Sequence, residues 1–522
     1  MSVDFTLAVS QAESAAARGS SDPRNYLILG WHCAQQGDFD GALARLSHGL
    51  GLSPRHPEIL LTMGAVFRQQ GRLRDAVLHC DAAIEAKPDY ADAWLERGFV
   101  LAAGGSMDAA RACYERTALL DPRNAAAFAG LASLAARNGD STQGRDYAKK
   151  ALTLDPGNLI ASCALATMEI ESGNWAAAET LLTPVVARLD QPSADRALAL
   201  GLLADALNKL EKTDEAFAAY ANAKADFAAI HARRFAGRDS HRAFIEAIGA
   251  QIPSMDVSAW MPSRVTPPHN AAATHIFLLG YPRSGTTMVE NILASLSDVS
   301  ALEERPTLAA ADAQCLAAPD GLTRMAALPE TAIDPLRQAY WDKVAESGAE
   351  VAGRVFVDMD PLKGTRLPLI ARLFPDAKIL IMRRDPRDVV WSCFHTNFAL
   401  TSAALEFTTL ESTARHYDAL MRLTEAALET FNLNTHVVHY DGLVRDFDGE
   451  TQAMCAFLGL TWSPTLRDFS RTAKARGVST ASAGQVRKGL YDGTRQWERY
   501  RDHLAPILPI LQPWIERFGF EA

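Results

Sequence analysis

The chain has 522 residues, which is more than one ordinary hydrophobic core accommodates, so its length predicts two or more domains. Its composition, 48% hydrophobic and 22% charged, is typical of a globular protein. The formal net charge of -10 argues against a general nucleic-acid-binding surface. Any site for an anion must therefore come from a local cluster of arginine and lysine.

The ends and the cysteines argue against several protein classes. The N-terminal stretch MSVDFTLAVSQAESAAARG contains Asp4 and Glu13 and has no long apolar core, which indicates an amphipathic helix and not a signal peptide. No run of 18 apolar residues occurs, so we expect no membrane-spanning segment and no membrane partner. The seven cysteines are scattered and show no spacing typical of metal ligands, so we expect reduced thiols, a cytoplasmic protein and no zinc.

The first half of the chain repeats with a period of 34 residues. The period is marked by Pro54, Pro88, Pro122 and Pro156, by Gly37, Gly71, Gly105, Gly139 and Gly173, and by Ala42, Ala76, Ala110 and Ala178, with Gly144 in the fourth alanine position. The glycine ends a helix, the alanine allows two helices to pack closely, and the proline stops the second helix. This helix-turn-helix period resembles the tetratricopeptide repeat, or TPR. We expect about five repeats over residues 22–190 and a weaker sixth, out of register, over residues 200–225.

Stacked helix pairs of this kind form a concave groove. The resemblance implies that the groove binds a peptide, a protein partner or a second copy of the chain, so a homodimer is a further expectation. The alternative is an array that serves only as a scaffold. From the change in pattern we expect a TPR domain at residues 1–228, a linker at 229–273 that ends in a proline-rich extended arm, and a second domain at 274–522.

The second half alternates short β-rich runs with helical stretches, which predicts an α/β domain with a parallel sheet. The predicted strands are HIFLLG (275–280), VFVDM (355–359), KILIMR (378–383) and HVVHY (436–440). Ligands bind beyond the carboxyl ends of such strands. Arg283 and Ser284 follow the first strand, while Asp358, Arg384 and Tyr440 lie at the ends of the other three.

The loop after the first predicted strand has the shape of an anion-binding loop. Gly280 and Gly285 lie five residues apart, as in a nucleotide-binding P-loop, but Thr286 occupies the position of the P-loop lysine. The backbone N–H groups of Ser284, Gly285, Thr286 and Thr287 would point at an anion at the start of a helix. Arg283 adds a bidentate cation. Without the lysine, the loop favours a group with less charge than a triphosphate and no magnesium ion.

A second basic stretch, MRRDPRDVVWSCF, follows the third predicted strand. Asp385 suits the N-cap of a helix and Pro386 its first position. Arg384 stands at the strand end and Ser392 two turns into the helix, so the two side chains could hold a second phosphate.

Together these stretches resemble the sulfotransferase family. PRSGTT resembles its loop for a 5′-phosphosulfate, and Arg384 with Ser392, eight residues apart, resembles its 3′-phosphate motif. Arg487, Lys488 and Gly489 resemble a further family segment at the 3′-phosphate, and Tyr440 a tyrosine near the adenine. The resemblance covers residues 274–522, and together with the repeats the chain looks like the TPR-containing sulfotransferases, which are related to tyrosylprotein sulfotransferases. It implies an all-α TPR solenoid followed by an α/β, P-loop-like sulfotransferase domain.

The resemblance also implies a chemistry. The donor would be 3′-phosphoadenosine 5′-phosphosulfate (PAPS), used without a metal. Arg283, helped by Thr286 and Thr287, would neutralise the leaving phosphate. Glu304 stands 21 residues after Arg283 and matches the catalytic glutamate of the tyrosylprotein sulfotransferases, while Glu303 and His395 are alternative bases.

One departure from the family pattern bears on activity. Related enzymes carry a lysine after the second of these strands, in a segment like D-K-x-P, where this chain has Met359 in VFVDMDPLKG. Loss of one such donor typically costs on the order of 10²–10³ in rate. Lys363 would reach back to this place if the segment after Pro361 is helical.

Three functions are open at this point. The first is a PAPS-dependent sulfotransferase whose TPR groove presents the acceptor, a hydroxyl on a peptide or protein such as tyrosine, or on a saccharide. The second is a catalytically impaired scaffold with the same fold, which Met359 motivates. The third is a P-loop kinase or NTPase, which Thr286 in the lysine position disfavours.

Overall fold

The computed structural model describes residues 3–260, 271–316, 318, 320–477 and 480–521. It divides into two compact units, Met1–Ala219 and Tyr220–Ala522, which we call the repeat unit and the sheet unit. Among the described residues, no helix combines the length and the apolar character needed to cross a bilayer.

The repeat unit is built from helices alone. In chain order they are α1 (Val3–Ala17), α2 (Pro23–Gln35), α3 (Phe39–Leu52), α4 (Pro57–Gln69), α5 (Leu73–Ala86), α6 (Ala91–Ala103), α7 (Met107–Leu120), α8 (Ala125–Asn138), α9 (Ser141–Leu154), α10 (Leu159–Glu171), α11 (Trp175–Ala187) and α12 (Ala194–Lys209), followed by α13 (Thr213–Phe235), in which the boundary between the units falls. The predicted helical repeat array is confirmed.

The repeat marks act as their chemistry predicts. The five repeat glycines, at 37, 71, 105, 139 and 173, adopt φ values of 74° to 81°, a left-handed conformation that turns the chain out of one helix. The repeat alanines at 42, 76, 110 and 178 are fully buried between helices. A Cβ on Gly144, which replaces the alanine once, would lie 2.7 Å from the sulfur of Met168, so the small residue is required there by close helix packing.

The sheet unit continues with helices and five strands among the described residues. The helices are α14 (His241–Gly249), α15 (Val257–Trp260), α16 (Thr286–Leu293), α17 (Ala309–Cys315), α18 (Gly321–Ala326), α19 (Glu330–Glu346), α20 (Leu367–Leu373), α21 (Pro386–His395), α22 (Ser402–Glu406), α23 (Leu410–Phe431), α24 (Tyr440–Arg445), α25 (Phe447–Leu458), α26 (Phe469–Arg476), α27 (Ala483–Val486), α28 (Arg501–Leu504) and α29 (Leu508–Arg517). Short 3₁₀ helices cover Ile252–Ser254, Pro361–Arg366, Pro464–Asp468, Gln496–Tyr500 and Ala505–Ile507. The strands are β1 (Thr274–Leu279), β2 (Val299–Glu303), β3 (Val355–Met359), β4 (Lys378–Arg383) and β5 (Asn434–His439).

The strands form one parallel sheet in the order β2-β3-β1-β4-β5. Met359 at the end of β3 is level with Leu278 of β1 and with Glu303 of β2, and Arg383 of β4 is level with His439 of β5. All five carboxyl ends therefore meet at one side of the sheet, which we call the carboxyl edge. The parallel sheet is confirmed, and β2 is a strand that the sequence pattern did not predict.

The segment expected to be a linker, residues 229–273, contains helices in the structure. Helix α14 buries Ile245 and Ile248 and packs on α23 within the sheet unit. Trp260 at the end of α15 is fully buried, and its indole N–H donates to the carbonyl of Pro368 at 3.2 Å. The domain limits at 228 and 273 stay predictions, and residues 261–270, the middle of the expected extended arm, lie outside the described residues.

Candidate functional site

The loop between β1 and α16 is compact and glycine-dependent. Its Ser284 hydroxyl accepts a hydrogen bond from the backbone N–H of Tyr281 at 3.3 Å, which closes the loop on itself. Gly285 has a φ of 110°, and a Cβ there would lie 3.0 Å from the ring of Tyr440. The N–H groups of the first helical residues, Thr286 and Thr287, precede any acceptor within α16. The loop thus presents backbone donors to whatever lies at the helix start.

A cavity of about 50 Å³ lies at the carboxyl edge beside this loop. Its wall brings together seven residues that the sequence predicts as site residues: Arg283, Gly285, Thr287, Arg384, Ser392, Tyr440 and Gly489. Ser284 and Thr286 are buried next to it without lining it. The side chains of Arg487 and Lys488 are exposed and do not line the cavity.

Arg283 is held by neutral groups. Its guanidinium donates to the hydroxyl of Ser392 at 3.0 Å, to the hydroxyl of Ser482 at 2.7 Å and to the side-chain oxygen of Gln485 at 2.7 Å. Burial, with a contribution from the nearby charge of Arg384, lowers the pKa of Arg283 from its usual range. The guanidinium is therefore a cation in surroundings that lack compensating charge.

Arg384 is buried next to Arg283 and is held by backbone carbonyls. Its guanidinium donates to the carbonyl oxygens of Arg283, at 2.7 Å, and Gly493, and lies 4.6 Å from the ring centre of Tyr440. Its Nε is buried and has no hydrogen-bond partner among the described residues. In contrast, the preceding Arg383 forms an ion pair with Glu425.

Within the part of the chain that the structure describes, no carboxylate lies within 4.0 Å of the guanidinium of Arg283 or Arg384. A buried charge without a counter-ion is costly, and proteins keep such charges where a ligand supplies the opposite charge. The pair of arginines is consequently suited to an anionic ligand.

Residues 480–497, which we call the strap, cover the cavity. The hydroxyls of Thr287 and Thr480 lie 3.2 Å apart, and the hydroxyl of Tyr440 donates to the carbonyl of Tyr491 at 2.6 Å. At its far end, the carboxylate of Asp388 accepts the backbone N–H groups of Arg495 and Trp497 at 2.8 and 2.9 Å. Burial raises the pKa of Asp388 to about 6.

Sequence reasoning missed Ser482 and Gln485, two strap residues that contact Arg283. They belong to the stretch ASAGQVRKGLYDGTRQW, in which only Arg487, Lys488 and Gly489 were selected. A neutral hydroxyl and amide carry no charge signal in a sequence, so only the fold could identify them.

Glu304 lies on the turn that follows β2. It has a φ of 42°, and its backbone N–H donates to the carbonyl of Met359 at 2.8 Å. Its side chain keeps access to solvent and does not line the cavity, yet partial burial of the carboxyl raises its pKa to about 7, with further contributions from the carboxylates of Asp360 and Glu303. A carboxyl that titrates near neutrality and is reachable from solvent has the properties of a general base. The side chain of Glu303 instead accepts the N–H of Thr480 at 3.3 Å.

Met359 and Lys363 have different roles from the lysine of the family pattern. The side chain of Met359 is fully buried in the hydrophobic core and offers no donor. The segment after Pro361 is a 3₁₀ helix, and the buried ammonium of Lys363 donates to Asp358 at 2.5 Å and to Thr307 at 3.1 Å. Lys363 is thus turned toward the residues after β2 and does not line the cavity.

His395, the other alternative base, does line the cavity. Its Nδ1 bonds to the carbonyl of Trp391 at 2.8 Å and must carry the proton, because a carbonyl only accepts. Burial, together with the charge of Arg283, lowers the pKa of His395 to about 3. The imidazole is neutral near pH 7 but is a weak base, which favours Glu304.

Comparisons with known proteins identify the same two parts of the chain. A model of the sulfotransferase family matches residues 275–464, and models of the tetratricopeptide repeat match residues 4–57 and 67–134. An uncharacterized protein of Aquifex aeolicus (strain VF5) is 27% identical over 258 residues, 46% of this chain and 33% of that protein. A Caenorhabditis briggsae protein named "Putative protein-tyrosine sulfotransferase" is 31% identical over 127 residues, 22% of this chain and 41% of that protein.

The chain therefore matches less than half the length of these two curated relatives. Among solved structures, a thermophilic TPR protein of Thermus thermophilus has 19% identity and a TM-score of 0.31, covering 35% of this chain and 98% of that one.

Proposed function

The chain contains a sulfotransferase-family domain and tetratricopeptide repeats, and on that premise we propose that it transfers the sulfuryl group of PAPS to a hydroxyl acceptor. The observation that carries the proposal is the pair Arg283 and Arg384, two cations that share one cavity without a carboxylate in contact among the described residues. PAPS carries a phosphosulfate at the 5′ position and a phosphate at the 3′ position, so it presents two anionic groups to two cations. ATP has no 3′-phosphate.

The residues at the cavity fit such a donor. Arg283, Thr287 and the N–H groups at the start of α16 would hold the phosphosulfate, since a helix N-terminus favours anions. Arg384 and Ser392 would hold the 3′-phosphate, and the unpartnered Nε of Arg384 provides a free donor for it. When bound, PAPS supplies a sulfuryl group already joined to a phosphate leaving group, which is why the proposal includes no metal.

The adenosine would extend toward a second cavity. Gly489 belongs to the wall of the first cavity and also to that of a neighbouring one of about 400 Å³, which is lined in part by Phe447, Phe469 and Leu490. Aromatic and aliphatic side chains suit a planar base. Tyr440, whose ring lies against Arg384, would stand between the phosphate end and the base end.

In the proposed reaction Glu304 accepts the proton of the acceptor hydroxyl. Because its pKa lies near 7, about half of the carboxyls are ionised at neutral pH, and the group still binds a proton with useful affinity. A general base contributes roughly 10²–10⁴-fold to such a rate. Arg283 stabilises negative charge on the leaving phosphate, as a fixed cation in a low-dielectric site does effectively.

For the acceptor we propose a hydroxyl on a peptide or protein, with tyrosine first and a saccharide second. The resemblance to tyrosylprotein sulfotransferases and the name of the Caenorhabditis briggsae relative support that order. The repeat unit supports peptide binding, because it contains a groove of about 580 Å³ lined by helices α6, α7, α8, α10 and α12, with Phe99, Tyr114, Leu134, Ile160 and Leu198 among its residues.

The test uses calorimetry with the full chain. We expect adenosine 3′,5′-bisphosphate to bind more tightly than ATP with Mg²⁺, and Arg384→Ala to weaken it by roughly 10- to 100-fold, the value of one or two charge-assisted hydrogen bonds. Arg415→Ala is the matched control, since Arg415 is an exposed arginine paired with Glu411 on α23. Tighter binding of ATP with Mg²⁺ would contradict the proposal and favour the NTPase alternative. Equal affinity of the Arg384 variant for the bisphosphate would contradict the assignment of Arg384 to the donor site.

The burial of Met359 favours one second candidate, a catalytically impaired scaffold. Radiolabelled PAPS and a cell extract that supplies acceptors separate the two. A sulfotransferase labels a component of the extract. A scaffold binds the bisphosphate but labels nothing, and Met359→Lys leaves it inert, whereas a weak enzyme gains rate from the added lysine.

A further inference from the structure

The ammonium of Lys363 contacts three oxygens, and all belong to or support the turn that carries Glu304. Besides Asp358 and the hydroxyl of Thr307, it reaches the carbonyl oxygen of Arg305 at 3.3 Å. Arg305 follows Glu304 directly in the chain. A cation with three donors thus binds a backbone group one residue from the proposed base.

Asp358 forms the base of this arrangement. One of its oxygens accepts from the hydroxyls of Thr307 and Tyr340, both at 2.8 Å, and the other accepts from Lys363. Asp358 and Lys363 are nearly inaccessible to solvent, at 0% and 3% exposure, so these bonds are shielded from bulk solvent. The turn from Glu304 to Thr307 is consequently tied to the end of β3 through buried, charge-assisted contacts.

The turn needs such support because its backbone is unusual. Glu304 is a non-glycine residue in the left-handed region, with a φ of 42°, a conformation that persists only where the surroundings enforce it. The bond from its N–H to the carbonyl of Met359 fixes one side of the residue, and Lys363 fixes the other through Arg305. The direction in which the Glu304 carboxyl leaves the turn depends on both.

Lys363 also acts on the Glu304 carboxyl through its charge. The groups that face this carboxyl are Asp360, which directly precedes the 3₁₀ helix, Lys363 on that helix, Glu303 on β2 and Glu290 on α16. Partial burial raises the pKa of Glu304 most, the three carboxylates raise it further, and Lys363 lowers it.

We propose that Lys363 is a positioning residue for Glu304: it holds the Glu304–Thr307 turn and supplies the positive charge beside it, while making no contact with the donor. This inference rests on the proposed function for the identity of the reaction. It assigns a use to a lysine that does not line the donor cavity, in a chain whose position 359 holds methionine. The sequence predicts that Lys363 reaches the place of the family lysine. In the structure it contacts instead the turn that carries Glu304.

The test is designed so that the chain stays folded. Lys363→Met alone leaves Asp358 charged and buried, so the informative variant is the double substitution Asp358→Asn with Lys363→Met, which removes both charges together. Lys363→Arg is the conservative rescue. Lys343→Met is the matched control, because Lys343 is an exposed lysine on α19 paired with Glu346.

Two readouts decide the question. The first is the titration of Glu304, followed by infrared difference spectra against the Glu304→Gln variant. We expect the Glu304 pKa to rise in the double variant and to stay unchanged in the Lys343 control. The second is turnover, where we expect kcat to fall roughly 10- to 100-fold at unchanged affinity for adenosine 3′,5′-bisphosphate, with part of the loss restored by Lys363→Arg.

An unchanged titration of Glu304, or a kcat that falls only in step with nucleotide affinity, overturns the inference. Failure of the proposed function gives a different result, because the unaltered chain would then transfer no label at all. In that case the titration still decides whether Lys363 sets the environment of Glu304.

Discussion

The substitution Glu304→Gln gives the sharpest test of the proposed chemistry, because it keeps the shape of the side chain and removes its ability to accept a proton. We expect nucleotide affinity to stay within about threefold of the original value and kcat to fall roughly 10²-fold or more. The loss should be largest near pH 8, where the original carboxyl is mostly ionised.

The pKa of Glu304 sets how strongly kcat should depend on pH. With a pKa of about 7, the ionised share of Glu304 is about nine tenths at pH 8 and about one tenth at pH 6. The kcat of the original chain at saturating donor should therefore fall about tenfold between pH 8 and pH 6, and this limb should vanish in the Glu304→Gln variant. The assay is transfer of label from PAPS, with bisphosphate affinity measured at each pH.

The free energy of unfolding should change with pH in the direction opposite to kcat. The pKa of Glu304 is raised on folding from 4.5 to about 7, so between these values the folded state binds more protons than the unfolded state and stability falls as the pH rises. Removing the charge should thus leave the free energy of unfolding at pH 8 unchanged or higher. A flat rate profile from pH 6 to pH 8, or a variant that loses stability and activity together, would refute the assignment of Glu304 as the base.

Three further predictions concern the surrounding site. Gly285→Ala forces an L side chain into a φ of 110° and brings its Cβ to 3.0 Å from Tyr440, so calorimetry should show bisphosphate affinity falling at least about tenfold. His416→Phe removes the hydrogen-bond partner of Tyr281 at 2.6 Å and of His241 at 2.7 Å, and urea unfolding should show a loss of about 2–5 kcal/mol. Lys488→Ala should weaken bisphosphate binding less than Arg384→Ala, about tenfold or less, because an exposed charge outside the cavity wall is screened.

The fold could be predicted where one physical rule decides the local structure. The repeat glycines require a left-handed backbone, and the runs at residues 355–359 and 378–383 are apolar and β-rich, so the predicted strand bounds match those of β3 and β4. The sequence of β2, VSALE, contains one β-branched residue and has no such pattern. It becomes a strand because β3 offers it a paired edge, which is a tertiary effect.

The candidate site divides in the same way. Arg283 and Arg384 could be predicted because glycine spacing and strand ends mark their places, and the cavity contains both. The partners of Lys363 could not be predicted, because Thr307 and Arg305 lie more than fifty residues away and reach it only through the pairing of β2 with β3. Burial of Met359 likewise depends on which face of β3 meets the core.

The order of the strands bears on how the proposed site combines a general base with a binding site for an anionic donor. Arg283 and Arg384 follow β1 and β4 at the carboxyl edge, whereas Glu304 and Asp360 follow β2 and β3. A base surrounded by arginines would have a depressed pKa and would be a weak base, and a donor site lined by carboxylates would repel its anion. Because β3 and β1 are neighbours, the two pairs of side chains meet at one boundary in the sheet, where an acceptor and a donor could come together. A carboxylate introduced at Thr287, beside the N–H groups at the start of α16, should therefore weaken bisphosphate binding strongly, which calorimetry would show.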